Sequence, residues 1–350
     1  MNKSRTGLAL IGYGGMGSWH ADKTKLIEEI HLCGVYDIDP KRCALAQENG
    51  FSVYPSREAL LADPAVQAVT IATPNDTHLP IALAAVEAGK NVICEKPVAL
   101  SSGELKQMMA KAEEKNVLFT VHQNRRWDED FLVVKRLYDE GTLGPVFNIE
   151  SRVHGSRGIP GDWRNTKEHG GGMVLDWGVH MLDQIMQMLS DRKLETVWAQ
   201  LSHVTNEAVD DGFRAILGFS GGLSCLVEVG TSNFISLPRW YVQGENGSAI
   251  VKDWDLSGEV VMVSDWEKRD AVPVVTAAGL TKTMAPRTEE TIKRYPLPAV
   301  KADICDYYRN IAAAVQGEAE LIVRPAQALL VMRVMEAIFA SAEKGEAIQF

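Results

Sequence analysis

The chain has 350 residues, 46% of them hydrophobic, enough to bury sizeable cores and to favour two domains over one. A formal net charge of −10, with no concentrated basic stripe, argues against a polyanion such as nucleic acid as partner. Five scattered cysteines without a C-x-x-C pair argue against a disulfide framework or zinc knuckle and point to a reducing, cytoplasmic compartment.

Lys3 and Arg5 precede the apolar run Leu8-Ala9-Leu10-Ile11, but that run is shorter than the ~7–15 residues of a signal-peptide core, and glycines interrupt it. No later segment has the ~18 unbroken apolar residues of a membrane span, so neither an export address nor a membrane role is expected. Residues 7–11 read as a buried strand and 16–30 as a helix. Between them Gly12, Tyr13, Gly14, Gly15, Met16 and Gly17 carry the spacing G-x-G-x-x-G. Alone that spacing is weak; at a strand-to-helix turn it lets backbone N–H groups and the positive helix end approach a pyrophosphate. A second strand, 31–39, carries Asp37, 20 positions beyond Gly17, where a carboxylate can accept hydrogen bonds from adenosine ribose hydroxyls. NAD is favoured over NADP, because Asp37 would repel a 2′-phosphate and Ile38, not an arginine, follows it; Lys41 and Arg42 are the nearest counter-indication.

The alternation continues with a short helix at 56–62, a strand at 68–73, a helix at 77–88 closed by Gly89, and a strand at 91–96. Ser101 and Glu104 predict a capping box for a helix to about 115, and LFTVHQ at 118–123 reads as the sixth strand. Such a run predicts a doubly wound parallel sheet over residues 1–123, with ligands at the carboxyl ends of its strands. From 124 to 350 the pattern becomes α+β. A helix near 128–141 precedes alternating runs of a large, mostly antiparallel sheet, with Gly221-Gly222 and Asn246-Gly247 as hairpin turns and a long loop at 155–172. Amphipathic helices close the chain at 302–316 and 325–344.

Two stretches offer chemistry. Lys96 sits between Glu95 and Pro97 at the end of a buried strand, and GGGMVLDWGVHMLDQIMQM places Asp176 and His180 four apart on one predicted helix. An imidazole there can take an alcohol proton, and the carboxylate can orient it. Asp176 is expected to raise the His180 pKa and Lys96 to lower it. The other histidines show no metal-binding interval, so no metal is expected.

The glycine turn, Glu95-Lys96-Pro97, and Gly170-Gly171-Gly172 with Asp176 and His180 together resemble the Gfo/Idh/MocA oxidoreductase family along essentially the whole chain. The resemblance implies catalysis by Lys96, Asp176 and His180, and a cofactor loop of Thr73, Pro74, Asn75 and His78, with Glu95 and Lys96 also at the cofactor. It implies that the segment around Trp163 and Arg164 reaches over the nicotinamide. It further implies a homo-oligomer assembled through the open face of the second sheet. The substrate pocket is expected to draw on Lys96, Arg126, His154, Trp163, Asp176, Trp177 and His180, with indole faces suited to a sugar, a glycoside (C3 as one position) or a polyol. Two other readings stand beside a dehydrogenase. One is a glycosidase using held NAD for transient oxidation and elimination; the other is a non-catalytic dinucleotide sensor, which would not need the three catalytic groups together.

Overall fold

A computed structural model describes residues 5–268 and 272–350. The first unit alternates β1 (Thr6–Ile11), α1 (Gly15–Thr24), β2 (Ile30–Tyr36), α2 (Pro40–Glu48), α3 (Arg57–Ala62), β3 (Ala68–Ile71), α4 (His78–Glu87), β4 (Asn91–Cys94), α5 (Ser102–Glu114) and β5 (Phe119–Val121). The strands are parallel in the order β2-β1-β3-β4-β5, which reverses direction between β1 and β3. That switch point is where an open α/β sheet leaves a crevice for ligand.

Five strands form this sheet, so the strand predicted as the sixth is the fifth, β5; between Asp37 and Ala68 no further strand joins it, and Val53 makes only an isolated bridge to Val35. Helix α1 ends at Thr24 instead of continuing to residue 30. Its apolar spacing persists because Ile27 and Ile30 are buried by a turn closed with short-range backbone bonds at Lys25, Leu26 and Ile27. Strands β2 and β4 stop at Tyr36 and Cys94, which frees Asp37, Glu95 and Lys96 as the chain leaves the sheet.

The second unit begins with α6 (Glu129–Asp139) and β6 (Val146–His154), followed by a π-helical turn, Val174–Gly178, that runs into α7 (Val179–Met188). Then come β7 (Leu194–Ser202), β8 (Gly212–Phe219), β9 (Leu223–Gly230), β10 (Trp240–Gly244), β11 (Gly247–Val251), β12 (Gly258–Val263), a separate hairpin of β13 (Val274–Thr276) and β14 (Gly279–Thr281), and β15 (Ile292–Tyr295). The chain ends with α8 (Cys305–Val315), α9 (Pro325–Lys344) and β16 (Ile348–Gln349). The nine-stranded sheet has the order β15-β12-β11-β10-β6-β9-β8-β7-β16, antiparallel except where β6 meets β9. Gly221 and Gly222 both take φ +79° at the β8–β9 turn, a conformation only glycine adopts freely.

Register explains the two faces of this sheet. The aligned row Val197, Leu217, Cys225, Ile149, Val242, Ala249 and Val260 is buried throughout. The row one residue along, with Trp198 paired to Ile216 and Ile216 to Leu226, lies on the opposite face, where Trp198 and Ile216 are exposed. Helix α9 packs on β7 and α7 on one side and on α5 and β5 on the other. It is the one described helix long and apolar enough to cross a membrane, and Val331, Val334, Met335 and Ile338 are buried in the core. Helix α8 returns to β2, and its Tyr308 reaches His20 of α1.

Candidate active site

Strand β1 leaves the sheet at Gly12, whose φ is +99°. A Cβ on Gly12 would lie 2.4 Å from the Ala72 carbonyl oxygen, and one on Gly17 would lie 2.1 Å from that of Gly12, so these two glycines serve close backbone packing. Gly14 and Gly15 differ. A Cβ added to either would meet nothing within 4 Å, and Gly14 caps α1 without a side-chain acceptor. The first N–H groups of this ten-residue helix are therefore available to an anion. Asp37 closes the loop from β2: its carboxylate accepts the Tyr13 N–H at 2.6 Å and the Asp39 N–H at 2.8 Å. Ile38 beside it is 88% exposed. Open glycine backbone, an uncapped helix start and an acid at the next strand end fit a dinucleotide: Gly14 and Gly15 for the pyrophosphate, Asp37 for the ribose.

The predicted cofactor loop divides. Thr73 Oγ1 accepts a 2.7 Å bond from the Thr77 hydroxyl, and Asn75 donates to the carbonyls of His169 and Gly170 at 3.1 and 3.4 Å, tying this loop to the three-glycine segment. His78 is a correction. Its ring is buried and bridges the carbonyls of Thr73 and Pro97, so it joins the two loops from within the core and cannot reach a ligand. Glu95 is another: 5% exposed, it turns into the core to meet His20 and His122.

Lys96 reaches across to the second unit. Its Nζ donates to the Asp176 carbonyl at 3.0 Å and to Asp176 Oδ1 at 3.1 Å. Arg164 approaches from the long loop, donating through Nε to Asp176 Oδ2 at 2.9 Å while its guanidinium lies 4.5 Å over the Trp163 ring. Burial alone would raise the Asp176 carboxyl; Lys96 and Arg164 outweigh it and hold the group below the usual carboxylate range. The helix geometry departs from expectation, because Asp176 lies in the π-helical turn and His180 in α7. Each Asp176 carboxylate oxygen accepts from one of the two cations and neither bonds His180, so the predicted carboxylate–imidazole pair is not formed.

His180 is buried, and its Nδ1 has no hydrogen-bond partner among the described residues. Burial first, then the charges of Lys96 and Arg125, push its pKa well below the ordinary imidazole value, which corrects the expectation of an upward shift from Asp176. The ring is therefore neutral through the neutral pH range and able to accept a proton.

A cavity of about 450 Å³ opens beside these groups, lined by Arg125, His154, Asp176, Trp177, Thr231 and Trp254 among others. The Arg125 guanidinium stacks 4.1 Å from the Trp177 ring, and Trp254 stands 6.1 Å from Trp177 between ring centroids. His154, at the end of β6, accepts the Leu237 N–H at 3.2 Å. Arg126, predicted for this pocket, is a correction. It is 4% exposed and grips Asp183 through two bonds of 2.7 and 2.6 Å, with further bonds to Ile322 and Gln327. Arg125 takes its place because the 3-10 turn Asn124–Trp127 points consecutive side chains in different directions. Trp254 had no local signal, since it reaches the pocket from the β11–β12 connection. Asp210 also went unmarked. It accepts the Val174 N–H at 2.8 Å at the start of the π-helical turn, and burial pushes its carboxyl up to about 7.

A glycine-lined dinucleotide cradle at a sheet switch point, facing a lysine, a paired carboxylate and a neutral imidazole, defines a nicotinamide-dependent oxidoreductase. Comparison with known proteins gives the family. The model described as "Oxidoreductase family, NAD-binding Rossmann fold" matches residues 6–123, and the "GFO/IDH/MocA C-terminal domain" matches residues 131–250. The chain belongs to the Gfo/Idh/MocA oxidoreductase family. It is 45% identical to an NAD-binding protein of Listeria innocua whose crystal structure superposes with a TM-score of 0.96, covering 99% of this chain and 100% of that one. It is 34% identical over 297 residues to the uncharacterized oxidoreductase YdgJ of Escherichia coli, covering 81% of each chain. It is 26% identical over 347 residues to scyllo-inositol 2-dehydrogenase (NADP(+)) IolW of Bacillus subtilis, covering 97% of this chain and 95% of that one.

Proposed function

We propose that the protein is an NAD-dependent dehydrogenase for a secondary hydroxyl of a sugar, glycoside or polyol, with C3 of a glycoside the first position to test. The observation that carries this reading is the Lys96–Asp176 contact of 3.1 Å between the two units, made beside the neutral, buried His180. A bound nicotinamide supplies the hydride acceptor at its C4. Lys96 places positive charge where the substrate oxygen gains alkoxide character, and His180 accepts the hydroxyl proton. Asp176 orients Lys96 and Arg164 and offers its carboxylate to a neighbouring hydroxyl. Thr73, Pro74 and Asn75 shape the cofactor side, Trp163 and Arg164 its cover, and His154 and Trp177 the substrate side.

The open sheet face bearing Trp198 and Ile216 supports assembly of identical chains, since large exposed apolar groups of this kind mark contact surfaces. The five free cysteines agree with a cytoplasmic setting. Turnover is tested by nicotinamide absorbance with a panel of inositols, sugars and glycosides, each with NAD and with NADP. Asp37 is expected to make NAD bind at least ~10-fold tighter than NADP, and Asp37→Ala to narrow that gap. Tighter binding of NADP would reverse the assignment, and a panel without nicotinamide reduction would remove this substrate class.

A further inference from the structure

Directly before Lys96, Glu95 lies at the centre of a buried network that the proposed chemistry does not use. Its Oε1 stands 2.8 Å from His20 Nε2 and 2.9 Å from His122 Nδ1, and its Oε2 accepts the Lys96 main-chain N–H at 2.9 Å. His20 Nδ1 meets the Tyr308 hydroxyl. His20, His122 and Tyr308 are all fully buried. They come from α1, from the chain just after β5, and from α8. Nothing predicted from sequence joins these three places.

We propose that Glu95, clasped by His20 and His122, is a positioning residue that fixes the main chain of Lys96. The inference rests on the reading of Lys96 and His180 as catalytic groups. The hydrogen bonds assemble in one consistent way. The Tyr308 hydroxyl donates to His20 Nδ1, each ring donates one N–H to Glu95 Oε1, and the second carboxylate oxygen holds Lys96. Burial opposes ionisation of Glu95, but the charge interaction with His122 and then the bonds from both histidines prevail and hold it well below the usual range. Burial, reinforced by His122, lowers His20, which keeps that ring neutral. The cluster thus places an ionised carboxylate in the core, next to the lysine it positions.

The ligand atoms of His20, Glu95 and His122 lie within 4.8 Å of one another, near enough to enclose a metal ion. Separations of 2.8 and 2.9 Å are instead hydrogen-bond lengths, which favours shared protons over a metal.

The test compares Glu95→Gln and Glu95→Asp with the intact, NAD-loaded protein, using the substrate found by the panel. Glu95→Gln is expected to cut kcat by about 10-fold or more with KM changed less than about twofold, because positioning acts on the transition state. Glu95→Asp keeps the charge but shortens the reach to Lys96, so kcat should fall there too with KM again little changed. An unchanged kcat in both variants, or a KM raised in step with the loss of kcat, would reduce Glu95 to a packing role. A stoichiometric metal in the purified protein would overturn the network altogether. Lys96→Ala and His180→Ala run in the same assay test the catalytic reading separately: normal turnover there defeats that reading, whatever Glu95 does.

Discussion

Lys96→Ala and His180→Ala should each lower turnover by ~10²-fold or more while dinucleotide affinity persists. The separation is expected because the cradle for the dinucleotide, from Gly12 to Gly17 with Asp37, is built without either residue. Lys96 contributes charge at the reacting oxygen, and its removal also leaves the buried Asp176 facing Arg164 alone. His180 contributes the proton acceptor, a buried ring whose Nδ1 has no hydrogen-bond partner among the described residues. Steady-state kinetics paired with a direct cofactor titration check both halves. Near-normal turnover in either variant removes that residue from the mechanism, and lost cofactor binding would mean the two sites are not separable.

Arg126→Ala should destabilise the fold by about 3–5 kcal/mol, because it strands Asp183 as a buried charge without its partner. Four of the five Arg126 N–H donors are engaged away from the pocket: Nε and Nη2 bond Asp183, and Nη1 bonds Ile322 and Gln327. Chemical denaturation measures the loss, and KM measured on the folded protein should stay close to its original value. A stable variant with a raised KM would restore Arg126 to the substrate pocket. Arg125→Ala is the informative contrast, since that guanidinium lines the cavity and stacks on Trp177.

The difference between these adjacent arginines shows where sequence reasoning stops. Strand–helix alternation, the glycine turn and Asp37 are local patterns, each set by residues within one βαβ unit, and the parallel sheet follows from them. The second sheet was legible from period-two alternation and its glycine turn at residues 221–222. What was not legible depended on the backbone or on distant packing. The π-helical turn at Val174–Gly178 holds Asp176 while His180 lies in α7, and no residue in that run announces it. The burial of His78 and the inward turn of Glu95 depend on histidines and carbonyls from other elements. The return of α8 to the first sheet, which brings Tyr308 to His20, is a tertiary event invisible to periodicity.

The sign of the His180 shift gives the most direct test of the proposed chemistry. Alcohol oxidation needs the neutral ring, and burial with Lys96 and Arg125 places its pKa well below the ordinary value near ~6.5. Oxidation should therefore be insensitive to His180 ionisation through neutral pH and fall only on the acid side, as pH drops through that lowered value. Carbonyl reduction, which needs the protonated ring, should fall as pH rises through the same value. The deciding measurement is the pH profile of kcat for oxidation in the wild-type protein and in His180→Ala. An acid limb below the ordinary imidazole range is expected in the first, and its disappearance from the residual activity of the second. A limb that survives unchanged in His180→Ala would contradict a proton-accepting His180 and give the proton to another group, with Lys96 the next candidate.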